Sequence, residues 1–522
     1  MRVVVTATEM RIAAALAADL SAARYTVAGL DGLWGDEAEA ALHRGDAVPA
    51  ARLLERMPAG ADPRVTLALC FVLGLGADRD DLARALPTAG LDGAVALGLV
   101  DVDGARVRAR VDLRPYAFAD RVGEANWWIA SDPGEVATGA PLAEDHVLGV
   151  GGASSTLAAL QWQEPVDSVL DLGTGCGIQA MHASRHADRV VATDISARAL
   201  RFAELNAALN GVTGIEFRLG SLFDPVAGER FDRIVSNPPF VITPRRDDVP
   251  AYEYRDGGMV GDALVAQVLA GLADHLEPGG SAQLLADWEY RGADGDGLER
   301  ASDWFGPDLE YWLIERDRVD PIEYAETWVR DGGTRPGTPE YGAMVRAWLD
   351  DFEARGVDAV GFGYVVARRP ADGVVRLRRT EQQHGPLGSG APGPHLEACV
   401  GAFDRIVDDV AAARPVVAGD VTEQRHHWPG SADPTAITLS QGGGFARTVD
   451  AGTALAALVG ACDGTLTVAA IAGAIAGLLD ADEAALTEEL EDDVVELALC
   501  GMLAPATDAA DDEPGPDPGG AR

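Results

Sequence analysis

Asn237-Pro238-Pro239-Phe240 is the stretch of this chain whose residue types point most directly to chemistry. The apolar run Ile234-Val-Ser leads straight into it. The two prolines fix the backbone there and remove two donors. Their carbonyls therefore point predictably, and the Asn237 carboxamide is held at the carboxyl end of a strand, where doubly wound sheets bind ligands. This arrangement suits a planar –NH2 group. The Asn237 oxygen and the Pro238 carbonyl can each accept one N–H, and Phe240 can stack on the flat π system that bears the nitrogen. Such a nitrogen is a poor nucleophile because its lone pair is delocalised. Two accepted hydrogen bonds push it towards a tetrahedral form and aim the lone pair, so orientation and electrostatics supply most of the catalysis. The competing reading is a double-proline turn of structural use only.

A second constellation lies upstream, in Val169-Leu-Asp-Leu-Gly-Thr-Gly-Cys-Gly-Ile178. An apolar strand ends at Asp171, and Gly173, Gly175 and Gly177 turn the chain tightly into a helix. Glycines let the backbone pass close to a ligand and adopt positive φ. A dinucleotide site would read G-x-G-x-x-G, but Ile178 stands at the sixth position. The spacing is instead D-x-G-x-G-x-G. Asp194 ends the next apolar run, Val190-Val-Ala-Thr-Asp. An acidic residue at that strand tip can accept hydrogen bonds from both hydroxyls of a ribose.

Together these residues resemble the class I S-adenosylmethionine-dependent N-methyltransferases with the Asn-Pro-Pro-aromatic signature. That group includes release-factor glutamine methyltransferases and enzymes acting on exocyclic amines of RNA or DNA bases. The resemblance covers about residues 145–367. Phe231-Asp232 before the signature supports it, as do Tyr254-Arg-Asp-Gly-Gly-Met-Val-Gly-Asp and Leu276-Glu-Pro-Gly-Gly after it. It implies S-adenosyl-L-methionine as methyl donor and no metal. It implies catalytic roles for Asn237, Pro238, Pro239 and Phe240. It implies cofactor contacts from Asp171, Gly173, Thr174, Gly175, Gly177, Asp194, Ile195, Ser221, Leu222 and Asn237. Upstream, His146-Val-Leu-Gly-Val-Gly-Gly-Ala-Ser-Ser-Thr lies where the family's chain approaches the cofactor, which extends the implication to Gly152 and Ser154. One departure stands out. Relatives often place an acidic residue against the adenine amine, and here the slot reads Gly220-Ser221-Leu222-Phe223-Asp224. The Ser221 hydroxyl or a backbone contact would substitute, and Leu222 and Phe223 would flank the adenine ring.

The elements that must position these groups follow from hydrophobic pattern. Apolar β-type runs at 168–171, 189–194, 215–219, 231–236 and 282–286 alternate with helical stretches at 180–185, 197–210 and 261–275, which predicts a parallel sheet with helices on both faces. Residues 310–316 and 360–367 read as two closing strands, with an inserted loop and helix between them. The expected fold is α/β, a Rossmann-like seven-stranded class I methyltransferase core at 126–370. Residues 1–125 read as mainly helical, with a ribbon about the Asp103-Gly104 turn, in the order of a winged-helix unit. Residues 371–394 read as a linker, 395–505 as a helical accessory domain and 506–522 as a disordered acidic tail.

Composition narrows the function. The chain has 522 residues, a formal net charge of −41 and 42 basic residues, every one of them arginine. Lysine-based chemistry is therefore excluded, and non-specific nucleic-acid binding, which draws on basic residues for phosphate neutralisation, is disfavoured. Residues 480–493 hold eight acidic and no basic side chains. Five scattered cysteines form no CxxC pair, against a disulfide framework or structural zinc. No apolar run reaches the ~18 residues of a spanning helix, and the amino terminus does not read as a signal peptide, so the expected location is cytoplasmic. His182 and His186 share a helix face without an adjacent glutamate and read as packing histidines. Trp127-Trp128 reads as interdomain packing, with a substrate platform as the alternative.

The substrate stays open at this stage. A protein glutamine, plausibly on a translation factor, fits the acidity and a lip in which Arg245, Arg246 and Arg255 are balanced by Asp247, Asp248, Glu253 and Asp256. A base in RNA fits the winged-helix order and the cluster Arg368, Arg369, Arg376, Arg378 and Arg379. DNA adenine, a small molecule or a non-catalytic cofactor-binding scaffold are the alternatives.

Overall fold

A computed structural model of the chain describes residues 5–58, 60–138, 142–250, 252–292 and 296–506. The expected acidic tail, but for residue 506, lies outside the described residues. The chain divides after His384 into two compact units.

The first unit is organised by one eight-stranded sheet. Its strands are β1 (Val166–Leu172), β2 (Ala187–Asp194), β3 (Ile215–Leu219), β4 (Phe231–Ser236), β5 (Leu276–Arg291), β6 (Glu310–Val319), β7 (Val357–Arg368) and β8 (Arg378–Gln382), in the spatial order β8-β6-β7-β5-β4-β1-β2-β3. All pairings are parallel except those of β7, which runs antiparallel to both β5 and β6. Without β8, the order is that of a class I methyltransferase sheet. The eighth strand comes from the stretch read as a linker. Its alternation is all polar, Arg-Arg-Thr-Glu-Gln, so hydrophobic pattern does not reveal it. It pairs with β6 from Tyr311↔Arg378 to Glu315↔Gln382.

The central strands β1, β2 and β4 are buried on both faces, which is why they read as continuous apolar runs. Helix α1 (Gly152–Leu160) precedes β1, and α2 (Ile178–Ala183), α3 (Ala197–Leu209) and α4 (Ala263–His275) supply crossovers between strands. Between β6 and β7 the insertion holds two helices, α5 (Pro321–Asp331) and α6 (Pro339–Arg355).

The amino-terminal part holds helices and a ribbon, with strands Val100–Asp103 and Arg106–Ala109 about Gly104 at φ +58° and a short third strand, Ala77–Asp78, paired to the second. A long hairpin follows that the pattern did not disclose, Asp112–Asp120 paired with Gly123–Ser131. It anchors these helices to the sheet region in a single hydrophobic core running from Leu16 and Phe71 through Trp127 and Ile129 to Ile178, Met181 and Phe202. Asn206 of α3 and Asn210, which caps that helix, complete it: the Trp128 and Ala130 amides donate to the Asn210 and Asn206 side chains at 2.8 Å. Trp127 is buried here against Phe118 and His182, so the tryptophan pair is packing. His182 is buried too, its pKa pushed down to about 3 by desolvation. His186 sits 3.3 Å from Asp120.

The second unit carries the expected helices, including Val468–Leu479 capped by Thr467 and Glu483–Leu499 capped by Asp482. It is not all helical. A three-stranded antiparallel sheet (Val421–His426, Ala436–Gln441, Thr448–Ala451) and a two-stranded pair, Pro415–Val417 with Leu503–Pro505, complete it. Pro415–Val417 and Leu503–Pro505 are only three residues long and Val421–His426 is largely exposed, so little apolar alternation marks them, whereas Ala436–Gln441 does alternate, with Ile437, Leu439 and Gln441 buried. No helix among the described residues is long and apolar enough to cross a membrane.

Candidate active site

The glycine loop is held in shape from below. Asp171 is fully buried at the end of β1, and its Oδ2 accepts from the Thr174 hydroxyl at 2.5 Å and the Ala180 amide at 2.9 Å. Burial pushes its pKa up to about 7. Gly173, Gly175 and Gly177 all have positive φ, at 79°, 55° and 89°. At Gly177 a side chain would also collide, since a Cβ there lies 2.8 Å from that of Ala203 on α3. At Gly173 and Gly175 a Cβ would meet only open space. Gly177 therefore serves close packing of helix on loop, whereas Gly173 and Gly175 turn bare backbone towards a cavity of about 390 Å³.

That cavity brings together most of the residues read from sequence. Gly173, Thr174, Gly175, Asp194, Ile195, Ser221, Leu222, Asn237, Pro238 and Pro239 all line it, as does Ser154. Asp171, Gly177 and Gly152 do not; the first two shape the loop from behind. Asp194, raised in pKa by desolvation, accepts from the Gly175 amide at 2.9 Å and the Ser196 amide at 2.8 Å. Each of its oxygens keeps a lone pair for a further donor. Ile195 exposes 67% of its surface beside it, an apolar flank with no protein partner. Leu222 takes φ +45°, a left-handed backbone that costs a non-glycine residue of order 1–2 kcal/mol, and it turns Ser221 and Leu222 to the cavity. Phe223 departs from expectation. It is not a lining residue but stacks on His275 at 4.2 Å, against Gly271 of α4.

At the other end, Asn237 follows β4 directly, and Ser236 ties that strand to β1 by donating to the Leu172 carbonyl at 2.7 Å. The Asn237 Oδ1 is buried and has no hydrogen-bond partner. A buried acceptor without a donor costs about 1–3 kcal/mol, so the site is built to receive an N–H. Phe240 differs from the stacking role read for it. Its ring packs at 5.6 Å from Phe362 of β7 and 6.4 Å from Trp328 of α5, outside the cavity lining. The insertion explains this: α5 brings an aromatic partner that covers the ring.

Sequence reasoning missed how the loop after the signature closes the cavity. Glu253, Tyr254, Asp256, Gly257 and Gly258 all line it, as does His146, its pKa lowered by burial. The loop is braced by α5. Arg255 is buried, paired with Asp331 at 2.5 Å, and lies over the Tyr252 ring at 4.7 Å. Tyr252 donates to the Gly332 carbonyl at 3.1 Å and Tyr254 to Asp331 at 2.9 Å. The lip arginines are thus consumed locally: Arg245 pairs with Asp256 and Arg246 with Asp248. The downstream cluster is likewise occupied, with Arg368 on Glu310, Arg369 on the Ala273 and Leu276 carbonyls, Arg376 on Asp372, Arg378 on the Pro307 carbonyl and Arg379 on Glu381.

The sheet order, with the glycine loop under β1 and the acid at the tip of β2, is that of a class I methyltransferase fold. Residues 151–291 match the family described as methyltransferase small domain, and residues 22–110 match a family described as domain of unknown function (DUF7059). The chain resembles, in particular, the release-factor glutamine methyltransferases: it is 34% identical to that of Xylella fastidiosa over 190 residues, covering 34% of this chain and 66% of the relative. The ribosomal protein uL3 glutamine methyltransferase of Bradyrhizobium diazoefficiens is also 34% identical, over 27% of this chain and 46% of its own. The chain thus spans two thirds or less of the length of these relatives. Among solved structures, ribosomal protein L11 methylase from Lactobacillus delbrueckii aligns over 42% of this chain and 81% of its own at 22% identity, with a TM-score of 0.24.

Proposed function

We propose that this chain is an S-adenosylmethionine-dependent N-methyltransferase that modifies the side-chain amide of a glutamine in a protein, on a translation factor or ribosomal protein. The observation that carries the reading is the unpartnered, buried Asn237 Oδ1 facing the same cavity as the glycine loop. The residues present fit the cofactor: bare backbone at Gly173 and Gly175, Asp194 for the ribose hydroxyls, and Ile195, Ser221 and Leu222 around the adenine. When bound, the cofactor supplies a methyl group on a positively charged sulfur. Asn237 and the Pro238 carbonyl accept the two amide N–H bonds and aim the nitrogen lone pair. No general base is needed before attack, because the nitrogen's proton becomes acidic only once the nitrogen is alkylated.

Charge favours protein over nucleic acid. The carboxylates lining the cavity are Asp194, Glu253 and Asp256; His146, Cys176 and Tyr254 also line it, and burial biases all three towards neutrality. Among the described residues no arginine lines it. This suits a cationic cofactor and a neutral amide and opposes a phosphate backbone. Residues 245–256, 368–379 and the acidic helix at 483–499 offer no unoccupied basic stripe of the kind nucleic-acid channels carry. A substrate in the translation apparatus places the enzyme in the cytoplasm.

The test is incubation with labelled S-adenosylmethionine and lysate of the chain's own source, treated with nuclease or with protease, alongside Asn237→Ala. Label that survives nuclease, is lost to protease and is absent with the variant is expected. Label lost to nuclease instead would overturn the protein reading in favour of RNA or DNA.

A further inference from the structure

Several buried side-chain oxygens in the described residues lack a hydrogen-bond partner, among them those of Asp171, Thr243 and Asp287. Only two such atoms belong to residues that line the cavity: Asn237 Oδ1 and Asp256 Oδ2. The first is explained by the reacting amide. The second is not.

Asp256 is held with care. Its backbone bridges Phe240, the last residue of the signature, in an antiparallel contact, and the Val241 amide donates to the Arg255 carbonyl at 2.8 Å. Its side chain is only 2% exposed. Its Oδ1 accepts from Arg245 at 2.5 Å and from the Gly258 amide at 2.8 Å. Arg245 is itself fixed by donating to the Thr243 carbonyl. One carboxylate oxygen is thus saturated and the other left bare, on the rim of the signature and remote in sequence from the ribose and adenine contacts. A buried anionic acceptor left bare is costly, and the cost is relieved only when a ligand brings a donor.

We propose that Asp256 is a specificity-determining residue whose Oδ2 accepts the main-chain N–H of the acceptor glutamine, while Asn237 and Pro238 hold its side-chain amide. The site would then require a planar –NH2 and a second donor on the same residue, a pattern that a peptide-bound glutamine presents. This rests on the protein-glutamine reading above.

The experiment takes the protein substrate labelled in the lysate, reduced to a peptide about its modified glutamine, and compares wild type, Asp256→Asn and Arg245→Gln. Asp256→Asn keeps the shape of the side chain while weakening or reversing the acceptor. It is expected to raise the peptide KM about 10- to 100-fold, the range for a hydrogen bond to a charged group, with S-adenosylmethionine affinity unchanged. Arg245→Gln removes one of the two donors to Oδ1 but leaves the carboxylate and its bond from the Gly258 amide, and is expected to raise the peptide KM by less than Asp256→Asn does. A peptide methylated on the glutamine main-chain nitrogen should cost the wild type as much as the substitution does, and cost Asp256→Asn little more. Equal losses in both variants would reduce Asp256 to a brace for the loop and overturn the proposal. Weakened cofactor binding with an unchanged peptide KM would overturn it too, reassigning the oxygen to the cofactor's ammonium group. If wild type labels no protein, the glutamine reading itself falls. If it labels protein and Asp256→Asn matches it, only the role of Asp256 falls.

Discussion

The two ends of the cavity are built in different ways. The cofactor end is made of short-range contacts. Asp171 holds Thr174 and Ala180, and Asp194 holds Gly175 and Ser196, so strand tips and the turns they feed explain the geometry almost alone. The acceptor end borrows its shape from far along the chain. Arg255 reaches Asp331, Tyr252 reaches Gly332, and the Tyr324 hydroxyl takes the Ile242 amide at 3.1 Å while donating to Asp287 at 2.6 Å. A locally built end tolerates change elsewhere in the molecule. A remotely braced end can be retuned by an insertion that never touches the reacting atoms, which is how one cofactor platform serves different acceptors.

Substitutions can break that division, and their effects should fall in order. Asn237→Ala removes the acceptor at the chemical centre. Turnover should fall about 10²- to 10³-fold, the usual consequence of losing one preorganised hydrogen bond at the reacting group, while isothermal titration shows cofactor affinity changing far less. Gly177→Val strikes the cofactor end. The Cβ clash with Ala203 and the left-handed φ together should abolish measurable cofactor binding and lower Tm; Gly175→Ala, with the same backbone demand but open space, should cost only about 1–2 kcal/mol in a denaturation curve.

Arg255→Met tests the brace. It removes a buried guanidinium that bonds Asp331 and the Trp328 carbonyl. The acceptor KM should rise about tenfold with cofactor affinity intact; an equal loss of both would show the two ends to be one unit.

The remaining expected effect is that of pH on stability rather than on turnover or affinity. Asp287 is fully buried beneath α5, and desolvation raises its pKa to about 8. A carboxyl raised in this way stabilises the fold fully below its unfolded value, near 3.8, and that contribution is lost as pH rises through about 8. Asp171, raised to about 7, acts in the same sense. Below about pH 6.5 the buried, neutral His182 contributes the opposite slope, so thermal melts should show Tm falling with pH between about pH 6.5 and pH 8, and Asp287→Asn should remove a large part of that fall.

The same contrast explains what the sequence discloses. The strands β1, β2 and β4 announce themselves because burial on both faces demands unbroken apolar runs, and the glycine loop because positive φ demands glycine. The signature is legible because two adjacent prolines have few other uses at a strand end. Strand β8 is silent because its side chains are all polar and carry no apolar alternation. The hairpin at 112–131 is obscured because its inward aromatics sit among charged residues, and because its edge is satisfied by Asn206 and Asn210 some eighty residues away. The burial of Phe240 could not be read either, since Trp328 and Phe362 reach it only through the insertion and the antiparallel strand β7.

The most direct measurement is to map the transferred methyl group by tandem mass spectrometry on the protein labelled from lysate. The account predicts one methyl group on the side-chain nitrogen of a glutamine, absent when Asn237→Ala replaces the wild type. A methyl group on a nucleoside, or on a protein side chain other than an amide, would contradict it.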